Sequence, residues 1–156
     1  MTNTSTEKAA DVSPHRSEPM DLREDERTRA QYFRLKDARR SARDSERHAS
    51  VSIQEQSTNP HWKEVRNQCE QILKAHHYDI EVACWYTEAL LRLSGLTGLK
   101  QGFAVLHNMI ASLSNNDCLE QEQKEDKLQP FASLNGIDRP GTLIEPLSWI
   151  NLTNSS

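Results

Sequence analysis

The stretch Asp79–Leu99, DIEVACWYTEALLRLSGLTGL, decides the fold. Placed on a helix at about 100° per residue, Ile80, Val82, Ala83, Cys84, Tyr86, Ala89, Leu90, Leu91 and Leu93 cover most of the circumference. Glu81, Glu88 and Arg92 share the one clearly polar sector. A helix apolar nearly all round must be wrapped by others, and this one is too short and too charged to span a bilayer. It is therefore expected at the centre of a helical bundle, with its polar sector turned towards another helix. Arg92 follows Glu88 by four residues in the favourable order, which predicts a salt bridge between them rather than a general acid–base pair of Glu81 and Glu88.

Asp79 reads as the N-cap of this helix and Gly95 as its C-terminal stop. Thr97 can cap the next helix, where Leu99, Phe103, Leu106, Ile110 and Leu113 keep a helical period. Gly102 within it predicts close approach of a neighbour. Upstream, Asn59-Pro60 reads as N-cap and first helical residue, and Trp62, Val65, Cys69, Ile72 and Leu73 carry an amphipathic helix to about Ala75. Ser50–Thr58 is a polar linker or a fraying helix end.

A long first helix is expected from roughly Glu24 to Ala49, its apolar stripe formed by Tyr32, Leu35, Ala38, Ala42 and Ala49. Residues 27–49 hold eight Lys/Arg against three acids, a local balance of +5 in a chain whose net charge is −4. Asp37 with Arg40, and Asp44 with Arg47, form an outer lace of opposite charges. Arg39 and Glu46 lie at the edge of the apolar stripe, where charges are expected to be partly buried, with Arg43 placed to bridge to Glu46.

Residues 1–20 contain almost nothing to bury and read as a disordered tail, followed by one helical domain over 21–153 and a short tail over 154–156. Ser114–Gln129 is polar and acidic, expected as a mobile loop or an exposed helix turn. Beyond Pro130, Asn135-Gly136 and Pro140-Gly141 are turn signals, and Pro146 favours an extended or irregular segment lying across the bundle, anchored by Leu143, Ile144, Leu147 and Trp149. The fold class is all-α: about four main helices, a disordered N-terminal tail and an extended or irregular C-terminal segment.

Few chemical functions fit. HExxH, GxSxG, GxxxxGK[ST] and GxGxxG are absent, and the adjacent His76 and His77 would point about 100° apart on a helix, so neither a metal site nor a cofactor or catalytic site is expected. Cys69, Cys84 and Cys118 form no CxxC pair, an odd count that fits a reducing cytoplasm, and no secretory signal or membrane-spanning run is present. The basic helix could track a phosphate backbone, but its interleaved acids and the overall pI near 5.9 weigh against nucleic acid. The residues alone define a helical interaction domain. An alternative is a generic binding module whose helix 27–49 takes nucleic acid or an acidic protein partner.

Four blocks carry a more specific resemblance: YFRLKDARRSARDSER (Tyr32–Arg47), Trp62, DIEVACWYTEALLRLSGLTGLKQGF (Asp79–Phe103) and LNGIDRPGTLIEPLSWINLT (Leu134–Thr153). In order, spacing and content they resemble the ImpA N-terminal domain family, shared by TssA and TagA/VasJ-type proteins of the bacterial type VI secretion system. The resemblance implies a non-enzymatic, cytoplasmic component that helps to organise or terminate assembly of the contractile tail tube and sheath at the baseplate or membrane. It implies protein partners among baseplate, sheath, tube or membrane-complex subunits, with a homo-oligomer possible, no small-molecule substrate and no membrane insertion. Tyr32, Arg39, Arg43, Glu46, Arg47, Trp62, Glu81, Trp85, Glu88, Arg92, Asn135 and Gly136 occupy matching positions and are the candidate structural or interaction residues. Two departures limit the transfer. Ala111–Gln129 lacks the aromatic and Pro-Asp features usual there, and the chain stops where the shared domain ends, so neither contacts through that loop nor ring formation is carried over.

Overall fold

The computed structural model describes residues 21–48, 53–75, 78–117, 119–137 and 139–150. The expected tails at 1–20 and 154–156, together with His76, His77 and Cys118, lie outside the described residues. Helices account for 80% of what is described and no strand occurs among those residues, so the chain is all-α.

Helix α1 spans Glu26–Arg47 and starts where Asp25 accepts hydrogen bonds from the backbone N–H groups of Arg27 and Thr28. Its inward stripe is Thr28, Tyr32, Leu35 and Ala42. A single turn, α2 (Ile53–Ser57), leads into α3 (Pro60–Ala75), where Asn59 Oδ1 accepts from the His61 N–H at 2.9 Å and Pro60 takes the first helical position. Helix α3 buries Trp62, Val65, Cys69 and Ile72, all four foreseen from their spacing.

Helix α4 covers Ile80–Ser114, capped by Asp79, whose Oδ1 accepts from the Val82 N–H at 2.9 Å. It is a hairpin of two limbs rather than one rod. Gly95 has φ +59°, outside the helical region, and the chain reverses there, as the sequence predicts. The reversal brings Gly98 onto the Leu90 carbonyl, where an added Cβ would stand 2.0 Å from the oxygen, and sets Gly102 against the side chain of Thr87.

The first limb of α4 is apolar all round because it is the wall between two cores. Val82, Trp85, Tyr86, Ala89 and Leu90 face a cluster with Tyr32, Leu35, Trp62, Val65, Cys69 and Ile72 of α1 and α3. Ile80, Ala83, Cys84 and Leu91 face a second cluster with Leu106 and Met109 of the returning limb, Leu134 and Leu143. No helix among the described residues is long and apolar enough to cross a membrane.

Two expectations for the C-terminal part are corrected. The polar stretch read as a mobile loop or an exposed helix turn contains most of α5 (Gln121–Asn135), a full helix that runs through Pro130. Leu128, Phe131 and Leu134 recur every third residue and pack on the second core, while Gln123 Oε1 accepts from the Glu120 N–H at its start. The segment read as extended or irregular carries one short helix, α6 (Ile144–Ser148), flanked by turns. Of its expected anchors, Leu143 is buried and Trp149 half-buried, but Ile144 and Leu147 are exposed; Pro146 is the second buried residue. A single helical turn presents one side inward, so Leu143 and Pro146 exclude Ile144 and Leu147 from the core.

Candidate functional site

Helix α1 and the first limb of α4 meet through long side chains, arranged as three successive layers of arginine, carboxylate and aromatic ring. Tyr32, Arg39 and Glu46 stand seven residues apart on α1, and Glu81 and Glu88 seven apart on α4, with Arg92 one turn further. Partners advance together along both helices, so the two run parallel and in register.

In the first layer the Tyr32 hydroxyl donates to Glu81 Oε2 at 2.8 Å. Arg23 reaches in from the turn before α1, donating to Asp79 at 3.0 Å and pairing with Glu81, its guanidinium 4.5 Å from the centre of the Tyr32 ring. In the second layer Arg39 grips Glu88 in a two-bond fork, Nε to Oε2 at 2.9 Å and Nη2 to Oε1 at 2.8 Å. Trp85 lies between the layers, stacked on Tyr32 with centroids 5.7 Å apart and 5.3 Å from the Arg39 guanidinium. The third layer reverses the charges. Glu46 of α1 accepts from Arg92 of α4 and from the Trp62 indole at 2.6 Å, and the Arg92 guanidinium lies 4.0 Å over the Trp62 ring. Trp149 approaches the same guanidinium at 5.9 Å.

These charges are inside the protein. Glu88 and Arg92 are each only 2% exposed. The expected Glu88–Arg92 salt bridge is absent: Arg92 donates to the Glu88 backbone carbonyl at 3.2 Å, while each side chain is taken by a residue of α1. The expected Arg43–Glu46 bridge is likewise replaced, because Arg92 and Trp62 occupy the Glu46 carboxylate. A fork from a facing helix offers two charge-assisted bonds out of water, which an exposed pair along one helix cannot match.

The surroundings shift several protons. Burial, then the hydrogen bond to Glu81, pushes the Tyr32 phenol up to about 12, and burial with the nearby Glu70 does the same for Tyr86, whose hydroxyl donates to Glu70 Oε1 at 3.2 Å. Burial, reinforced by Glu88, moves the Cys84 thiol to about 12 and holds Cys69 well above its ordinary value. Burial works to lower the Arg23 pKa, but its bonds to Asp79 and Glu81 outweigh it and raise the value. Both thiols are thus poor nucleophiles.

Of the sequence-predicted residues, Tyr32, Arg39, Glu46, Trp62, Glu81, Trp85, Glu88 and Arg92 converge on this ladder. Arg43 and Arg47 lie outside it, Arg47 exposed and pairing with Asp44 at 3.3 Å. Asn135 and Gly136 close α5 at the other side of the molecule, Gly136 as its left-handed cap, and Asn135 borders an apolar groove of about 450 Å³ lined by Phe103, Leu106, Ile110 and Phe131. Arg23 was missed because it precedes the first periodic residue, where no spacing cue exists. The Glu70–Tyr86–Gln101 chain of hydrogen bonds, which ties α3 to both limbs of α4, was also missed. Its three members are unremarkable singly and meet only in the fold.

Fold and site together define a helical structural domain whose conspicuous charged and aromatic side chains hold its helices to one another. The chain belongs to the ImpA N-terminal family of the type VI secretion system: the family described as "ImpA, N-terminal, type VI secretion system" matches residues 9–136. No curated protein and no solved structure gives a match.

Proposed function

We propose that this chain is a non-enzymatic docking component of a type VI secretion system, acting in the cytoplasm to organise or terminate assembly of the contractile tube and sheath at the baseplate or membrane. Family membership carries this reading. The ladder supports it, since Glu81, Glu88, Arg39 and Arg92, the residues a catalytic reading would have to use, are each taken up in packing: Glu81 by Tyr32 and Arg23, Glu88 by Arg39, and Arg92 by Glu46. The domain unit is taken as 21–153, with Arg39, Glu46, Glu88 and Arg92 orienting α1 and Trp62 and Trp85 supplying large packing surfaces. Co-purification of the full chain from a cell carrying the secretion cluster tests the proposal: recovery of sheath, tube, baseplate or membrane-complex subunits is expected. Recovery of nucleic acid alone would sink it.

A further inference from the structure

Once Arg39 and Glu46 are turned inward, five of the seven Lys/Arg left on α1, all but Arg27 and Arg34, form a single line with Phe33. Arg29, Phe33, Lys36, Arg40, Arg43 and Arg47 follow at intervals of 4, 3, 4, 3 and 4 residues. At 100° per residue they fall within a sector about 80° wide and about 27 Å long. Arg29, Lys36, Arg40 and Arg47 are exposed and Arg43 half-buried. Phe33 is 47% exposed, held in place by its edge-on contact with Tyr32 at 5.4 Å and by Lys36 at 5.9 Å. The line lies well away from the side of α1 that meets α3, where Arg27, Gln31 and Arg34 border a polar groove.

One edge of the line is acidic. Glu26, Asp37 and Asp44 fall together about 60–80° round the helix from its centre. Asp37 lies 3.8 Å from Arg40 and Asp44 3.3 Å from Arg47. A nucleic-acid backbone laid on the cations would place its phosphates beside these carboxylates along the whole flank. A protein helix with acids along its centre and cations along one edge would satisfy both rows.

We propose that this face of α1 is the docking surface for an amphipathic helix of another protein. About five turns long, it carries Asp/Glu at alternating spacings of three and four, one apolar residue opposite Phe33, and Lys/Arg along the edge that meets Asp37 and Asp44. The 3–4 spacing keeps such a pair in contact along its length, as in a two-stranded supercoil. Exposed Phe33 supplies the apolar anchor that a purely ionic contact lacks. A second copy of this chain fits less well, because the acidic face of its α5, Glu122, Glu125 and Asp126, spans only about one turn. The inference rests on the docking reading and names its partner's chemistry.

The test uses the full chain with a photo-crosslinking phenylalanine derivative at Lys36 or Arg40, and at Lys63 on α3 as a control, expressed in cells carrying the secretion cluster. Cross-links at Lys36 and Arg40, but not Lys63, should map to an acidic helical peptide of an apparatus subunit. Arg29→Glu/Arg40→Glu/Arg47→Glu should cut the yield at Lys36 at least tenfold with an unchanged Tm, and acid-to-lysine changes in that peptide should restore it. Cross-links to nucleic acid or to α5 of a second copy, equal yield at Lys63, no cross-link, or a yield indifferent to charge reversal would each overturn the proposal. Secretion subunits still co-purifying with the charge-reversed chain would leave the docking reading standing without this surface. A charge-reversible acidic-helix partner outside the apparatus would keep the surface and remove the docking reading.

Discussion

Glu88 shows how much of this domain turns on single buried charges. Its carboxylate meets the Arg39 fork and little water, so truncating it strands a guanidinium at a largely buried interface. Removing one partner of such a pair costs on the order of 3–5 kcal/mol, whereas replacing both by apolar groups is often close to neutral. Glu88→Ala is therefore expected to lower the unfolding free energy by about 3 kcal/mol in a denaturant titration, and Arg39→Leu/Glu88→Leu to recover most of that loss. If Glu88→Ala unfolds at the wild-type midpoint yet loses its protein partners, the residue belongs to an external interface instead. Sequence periodicity marked Arg39 and Glu46 as charges at the edge of a buried stripe. It could not choose their partners, because for Glu46 a residue three positions away along the helix and one 46 positions away on another are equally compatible with a linear pattern.

At the level of elements, the α4 hairpin depends on backbone contact. Gly98 lies so close to the Leu90 carbonyl that any side chain must push the limbs apart, and the neighbour is backbone that cannot swing away. Gly98→Ala is expected to cost about 1–3 kcal/mol, as overpacking does elsewhere. Gly102→Ala meets the Thr87 side chain instead, so Thr87→Ala should partly relieve it in a double-mutant cycle, while giving no relief to Gly98→Ala. Additive effects at Gly102 and Thr87 would contradict the packing described. The break at Gly95 was legible because glycine after an apolar helical run is a local signal. Helix α5 was not, because its surface is acidic and polar and Pro130 reads as a breaker, while the three apolar residues that fasten it acquire meaning only against Leu106 and Met109.

The whole molecule couples these parts through groups that must stay neutral. Tyr32 links α1 to α4, Tyr86 links α3 to α4, and Cys84 sits in the second core. All three have folded pKa values of about 12, above the ordinary 10 of the phenols and 9 of the thiol. Their contribution is complete below those ordinary values and is lost as the pH rises towards 12. Stability from denaturant titrations should hold from neutral pH to about 9 and then fall steeply, and in a Tyr78→Phe variant, where Tyr32 and Tyr86 are the only phenols left, tyrosinate absorbance should appear together with loss of helical circular dichroism. Tyrosinate formed well below pH 12 in that variant while it is fully helical would show that Tyr32 and Tyr86 are not held as described. From its residues alone, the chain determined an all-α bundle built around Asp79–Leu99, the caps at Asp79 and Asn59, the turn at Gly95 and the family to which the blocks belong. Each rests on local spacing or on a residue type with one conformational use. Tertiary structure alone decided that the central helix divides two cores, that Arg39 and Arg92 cross to opposite partners, that Arg23 joins them, and that five of the remaining cations of α1 align outward. Burial and pairing depend on what arrives from distant parts of the chain, and no local pattern encodes that.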